Sequence, residues 1–221
     1  MSSIFYFAYS PSQKRSLDVS EVGNGLACGC VCSACNVALV AKQGDWRESH
    51  FAHQPGSAKD RAGKACGYTM HESIRAHIRQ IVGDELTLML PAFYHLPFGK
   101  YRKQPCYQLS EARTITLTNF RKQVVIEGCE LDLVGEIDGF FLGLYITHKG
   151  RSVPHILKSL SDRRCGVLSL CVDSYPKVLK EEFARCKNYT EPLLQLLTDG
   201  VDSKTWIFHP KQLRAEADNS F

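Results

Sequence analysis

Apolar residues recur at every fourth position at Met70, Ile74, Ile78 and Val82, with mostly polar or charged residues between them. That period places one apolar stripe along a helix within 69–82. Strand-like runs follow. LTLML at 86–90 stops at Pro91, and TITLTNF (114–120) and QVVIEG (123–128) flank Arg121-Lys122, which predicts a hairpin about that pair. CELDLVGEIDGFFLGLYITH (129–148) holds two apolar runs joined by Asp138-Gly139, a pair favoured in two-residue hairpin turns. A helix is predicted at 154–162, a strand at 166–172, a helical stretch from Pro176 interrupted by Pro192, and a closing strand at 205–210. This order of elements predicts a mixed α/β layer fold.

Residues 1–67 read differently: they are rich in Cys, Gly and short polar turns and show little helical period, and QPGSAKDRAGKACG (54–67) has the composition of a loop. The change of texture sets an expected boundary between a small module, 1–67, and a larger domain, 68–221. With 44% hydrophobic residues in 221, a packed core is expected. No apolar run reaches the roughly 18 residues of a membrane span, and MSSIFYFAYSPSQKR does not read as a signal peptide. A cytoplasmic protein without a membrane partner is the expectation.

Ten cysteines change the picture because of where they stand: four fall at 28, 30, 32 and 35. In a reducing compartment such clustering points to metal before disulfide. Cys32-x2-Cys35 brings two thiolates to one tight turn, and His50-x2-His53 and then Cys66 follow. Zinc favours four such ligands in a tetrahedron, so Cys32, Cys35, His53 and Cys66 are the expected set, with His50 as the alternative to His53. NVALVAKQGDWRES, between Cys35 and His53, reads as a hairpin that returns the histidine to the thiolates. Cys28 and Cys30 are the less convincing candidates. Four protein ligands leave no open position, so the expected zinc is structural. Cysteines 106, 129, 165, 171 and 186 are expected to be buried free thiols.

The net charge of +4 is modest, but its distribution is not even. Lys100, Arg102, Lys103, Arg113, Arg121 and Lys122 share one stretch with a single acid, Glu111, and with Tyr101 and Tyr107 among them. Such a stretch suits a phosphate backbone, and equally a solvated hairpin face. Lys100, Arg102, Lys103, Arg121 and Lys122 are taken as the candidate nucleic-acid contacts.

GLACGCVCSACNVALVAKQGDWRESHFAH, then Cys66, then His71-Glu72-Ser73 on a helix, resembles the competence protein CoiA-like family. The resemblance runs over about 20–210, through LDLV, the Thr147-His148 strand ending, GVLSLCVDS and WIFHP. It implies a bacterial protein in which a small zinc-binding module precedes a restriction-endonuclease-like, PD-(D/E)xK domain: a mixed sheet flanked by helices. It also implies site residues. Glu72 and Ser73 match the family's helix motif, His77 falls one place late, and Arg79-Gln80 stands near the expected lysine. The metal-binding aspartate maps to Asp132, and the Thr-His ending to Thr147-His148. The family's glutamate falls at Gly143, its basic or polar position at Tyr145, and a further acidic position at Cys171, while Asp173 is kept. Glu72, Asp132 and His148 are therefore the candidate catalytic remnants, with Glu136 or Lys149 as candidate replacements. Each has a bland alternative: Glu72 as a helix-terminal acid, Asp132 paired with a neighbouring arginine, His148 as a strand end.

Three functions follow as expectations. The first is a DNA-directed protein with a nuclease-like fold and a degenerate site, binding nucleic acid or a DNA-processing partner. The second is an active deoxyribonuclease with a rearranged site holding magnesium or manganese. The third is a zinc-containing adaptor in a bacterial DNA-uptake or defence system.

Overall fold

In the computed structural model, which describes residues 4–44, 47–54, 57, 66–95, 107–162 and 164–212, the period-four stripe forms a helix, α1 (Met70–Ile81). Ile74 and Ile78 are fully buried on its apolar face. Thr69 starts it by accepting the Glu72 N–H at 3.2 Å, a side-chain cap for an otherwise orphan donor. The chain forms two units, Met1–Ile81 with Val172–Leu196, and Val82–Cys171 with Leu197–Phe221.

Among the described residues the first unit has five strands: β1 (Ile4–Phe5), β2 (Phe7–Ser10), β3 (Arg15–Asp18), β4 (Leu39–Gly44) and β5 (Arg47–His53). β2 and β3 form a hairpin, and β1-β5-β4 form a separate antiparallel sheet. Helices α2 (Tyr175–Cys186) and α3 (Thr190–Asp199) follow, the division between units falling within α3. α2 ends where Lys187 turns left-handed at φ 59° and returns its N–H to the Phe183 carbonyl. Pro192 stands in the first turn of α3, where a missing N–H costs nothing, so the interruption expected at this proline is the start of a new helix. The first turn of α3 is held from far away in sequence: the buried Asp18 carboxylate accepts the N–H groups of Tyr189 (2.6 Å) and Thr190 (2.8 Å).

The second unit is built on a six-stranded mixed sheet of order β13-β12-β11-β10-β9-β6, comprising β6 (Glu85–Leu90), β9 (Arg113–Ile126), β10 (Cys129–Ile137), β11 (Phe140–Thr147), β12 (Cys165–Cys171) and β13 (Lys204–Phe208). A two-stranded ribbon, β7 (Phe93–His95) with β8 (Tyr107–Ser110), lies between β6 and β9 in sequence. Only β11 and β12 run parallel; the other neighbours are antiparallel. One apolar cluster holds Leu131, Val134, Tyr145, Leu157, Val167 and Phe208 together. The fold is thus mixed α/β, as the order of elements predicts.

Two expected elements differ. Residues 114–128 do not fold back at Arg121-Lys122, because β9 runs unbroken from Arg113 to Ile126, pairing first with β6 and then with β10. Neither residue of that pair takes positive φ; Asn119 (54°) and Gln123 (53°) do, on either side of it. The reversal comes at Glu127-Gly128 (φ 47° and 81°), with the same geometry as the expected turn at Asp138-Gly139 (49° and 75°). The helix expected at 154–162 is a single 3-10 turn, His155–Lys158, opened by Pro154. Leu157 and Leu160 are buried, and two anchors with polar residues between them need only an irregular strap.

Candidate functional site

The turn at Cys32–Cys35 is made by the backbone. Asn36 adopts φ 58° and donates its N–H to the Cys32 carbonyl, while the Cys32 N–H bonds the Val37 carbonyl, both at 2.9 Å. β4 and β5 form the expected hairpin, whose register sets His53 opposite Leu39. His53 is buried at the end of β5, and its Nε2 lies 3.3 Å from Cys35 Sγ. Cys66 Sγ lies 3.7 Å from Cys32 Sγ, and the four ligand atoms all fall within 4.8 Å of one another.

These spacings suit a metal ion. Zinc–sulfur bonds of about 2.3 Å at a tetrahedral angle set two sulfurs about 3.8 Å apart. Burial lowers the His53 pKa, which favours the neutral imidazole a metal needs, and pushes the Cys32 thiol up to about 12, so an unmetallated thiol here stays protonated. His50 is not in the cluster; three residues from His53 it faces the other side of the strand, with Nδ1 2.7 Å from the Glu48 carbonyl. Cys28 and Cys30 also stand outside it, their thiols directed at the carbonyls of Leu39 (3.2 Å) and Cys28 (3.4 Å). Of the isolated cysteines, Cys129 and Cys165 are buried free thiols. Cys186 is half-buried, Cys171 is exposed, contrary to expectation, and Cys106 lies outside the described residues.

Asp132 is wholly buried in β10. Its Oδ2 accepts the Ile146 N–H at 2.8 Å and lies 2.8 Å from Arg151 Nη1. The arginine arrives by a tight turn, His148–Arg151, in which the two end residues exchange backbone hydrogen bonds and Gly150 takes φ 92°. His148 is itself buried, its Nδ1–H donating to the Lys149 carbonyl at 2.7 Å.

Gly143, where the resemblance puts a glutamate, pairs with Val134 on one side and Val167 on the other. A Cβ built there would lie 2.4 Å from Leu131 Cδ1. Leu131 is fully buried in the apolar cluster, so it can yield only by displacing that cluster. Tyr145 belongs to the same cluster, its hydroxyl donating to the Ser152 carbonyl at 3.3 Å. Gly143→Glu is therefore expected to lower stability by about 2–4 kcal/mol, from overpacking and a carboxylate in an apolar site, without creating nuclease activity. Urea unfolding of the variant beside a DNA-cleavage assay checks both halves.

The remaining candidates have partners of their own. In the first unit Glu72 Oε2 lies 3.1 Å from Arg75, and Asp173 Oδ1 lies 3.8 Å from His71 Nε2. Gln80 binds the backbone of Ser16 in both directions, acting as one rung of a ladder between α1 and β3. In the second unit Glu136 bonds Asn119 (3.3 Å) and faces Arg121 (3.8 Å). Arg121 and Lys122 are exposed on β9, with the Arg121 guanidinium also 5.4 Å from the Phe141 ring centre. Lys100, Arg102 and Lys103 lie outside the described residues.

Sequence reasoning allowed that Asp132 pairs with a neighbouring arginine but did not single out Arg151, although the Thr-His-Lys-Gly-Arg ending holds a Gly turn signal that brings it back. It also missed Asp18, whose tie to Tyr189 spans 171 residues and leaves no local pattern. Searches against protein-family models, curated proteins and solved structures find no match for this chain.

Proposed function

We propose that this chain is a DNA-directed protein of restriction-endonuclease-like, PD-(D/E)xK type, with a degenerate catalytic site and a zinc-stapled N-terminal module, working in the cytoplasm. The observation that carries the reading is the pair of adjacent antiparallel strands β10 and β11. One bears a buried carboxylate, Asp132, and the other ends in Thr147-His148, while the position between them where a second acidic ligand belongs is closed by Leu131. In chain order α1 precedes β6, the β7-β8 ribbon and the antiparallel run β9-β10-β11, with β12 then parallel to β11, and this order supports the same frame. Phosphodiester hydrolysis on such strands needs Mg²⁺ held by several oxygen ligands. With Gly143 giving none, binding outlasts catalysis. The donor set of three cysteines and one histidine is one zinc favours, and closed four-fold ligation makes its role structural.

The test combines cleavage and binding. Purified protein is expected to leave DNA intact with Mg²⁺ or Mn²⁺ over a wide protein range. It is expected to bind DNA with an affinity that falls steeply with salt. Neutralising Lys100, Arg102, Lys103, Arg121 and Lys122 together is expected to weaken binding at least tenfold and to flatten the salt dependence. Metal-dependent cleavage that Asp132→Ala abolishes would establish the active-nuclease reading instead. Salt-independent or undetectable DNA binding would remove the DNA-directed reading.

A further inference from the structure

We propose that Arg151 is the resident cation of the Asp132 carboxylate, taking the place of a divalent ion and fixing the end of β11. The first half rests on the proposed reading of Asp132 as the counterpart of a metal ligand; the second stands on geometry alone.

The ladder between β10 and β11 ends at Leu133–Leu144. Two residues further on, the Ile146 N–H finds its acceptor in Asp132 Oδ2 rather than in a β10 carbonyl. The same oxygen takes Arg151 Nη1 at 2.8 Å, and Nη1 also donates to the Ile146 carbonyl. Both backbone polar groups of Ile146 are thus satisfied by side chains, one from each member of the ion pair. The guanidinium carbon lies 3.8 Å from the centre of the Tyr145 ring, a cation–π contact that helps hold it in place. The tight turn at His148–Arg151 brings the arginine back toward the end of β11.

Arg151 supplies a full positive charge to a carboxylate with no exposure, which neutralises it. A divalent ion at Oδ2 would stand within a few ångströms of the guanidinium and leave the buried site with excess positive charge. Tyr145 belongs to the arrangement: where the resemblance expects a basic or polar group, an aromatic face holds the arginine. Lysine cannot replace it, because an ammonium has no planar face to lay on Tyr145 while reaching both Asp132 and the Ile146 carbonyl.

The Ile146 amide is a built-in reporter, since its proton points at the oxygen a metal would use. In an NMR titration of the full chain with Mn²⁺, its cross-peak is expected to keep its intensity into the millimolar range. Selective loss of that peak at Mn²⁺ levels that spare other buried amides overturns the proposal. Arg151→Lys is expected to lower the melting temperature by about 5–10 °C and to make the Ile146 peak Mn²⁺-sensitive. A variant with wild-type melting and an unresponsive peak also overturns it. The wild-type titration needs no variant, so a poorly folded Arg151→Lys leaves the test intact. DNA cleavage with an unbleached Ile146 peak would sink the degenerate-site reading and spare the Arg151 assignment. A bleached peak without cleavage would do the reverse.

Discussion

Stripping the metal from Cys32, Cys35, His53 and Cys66 is expected to unfold the N-terminal part of the first unit, and the native chain is expected to carry one zinc. The ligands come from three separate stretches: a turn at Cys32–Cys35, the last residue of β5, and a residue four positions before α1. The strands they join are short; β1 has two residues and β4 six. Such pieces close little apolar surface by themselves, and structural zinc in small modules supplies about 10–16 kcal/mol of apparent binding energy at neutral pH. Without the ion, three thiols and an imidazole crowd within 4.8 Å with no charge to organise them. Cys66→Ser, or excess chelator, is therefore expected to abolish the cooperative melting of this region or lower its midpoint by more than about 10 °C. Protons compete for the same ligands: because burial holds the Cys32 thiol at about 12, metal binding must release its proton, and affinity falls as pH falls. Elemental analysis with circular dichroism of native, chelated and Cys66→Ser protein decides the matter. Native protein free of zinc, or chelated protein that melts unchanged, would end the assignment.

The parts of this structure that local rules govern were legible in the sequence. α1 follows from four apolar positions, the β10–β11 hairpin from Asp138-Gly139, and the metal cluster from Cys-x2-Cys with a hairpin leading to His53. The misses share a cause. β9 shows two strand-like runs whether or not the chain reverses between them; what keeps it straight is its pairing with β6 and β10, which no local pattern displays. The strap at 154–162 has helical spacing at Leu157 and Leu160, but Pro154 and the path from β11 to the parallel β12 leave room for one turn only. The strands β10 and β11 could be read from sequence, and so could the lack of a carboxylate at Gly143. That Leu131 fills the space, and that Arg151 returns to Asp132, are facts of packing across strands. An ion pair separated by nineteen residues and a sheet turn carries no period.

Acid is expected to destabilise the first unit through His77. This imidazole is 1% exposed, bonded through Nδ1 to Ser16 Oγ (2.9 Å) and through Nε2 to Thr190 Oγ1 (3.0 Å), and stacked on Phe7 at 3.9 Å. Thr190 Oγ1 donates onward to Asp18 Oδ2 at 3.1 Å, so it accepts from His77 Nε2–H, and Nδ1 accepts from Ser16. Asp18 in turn takes five hydrogen bonds, from Ser20, Tyr189 and Thr190. The chain of bonds therefore ties β3, α1 and the start of α3 through a neutral histidine. Protonating it would put a second proton on Nδ1, turning the acceptor of the Ser16 hydroxyl into a donor and burying a charge. Burial first, and the positive charge of Arg15 second, lower its pKa from 6.5 to about 3. In the unfolded chain the imidazole protonates near 6.5. Its contribution is thus fully present above pH 6.5 and is lost as pH falls toward 3, on the order of 3–5 kcal/mol over that window. The metal cluster also loosens in acid, so the two effects must be separated. His77→Gln keeps all four metal ligands and cannot take the proton. With zinc in excess, the wild type is expected to lose urea stability between pH 6.5 and 4 more steeply than His77→Gln, by about one proton's slope, although the variant is weaker at pH 7. Parallel curves would show that His77 does not carry the acid sensitivity.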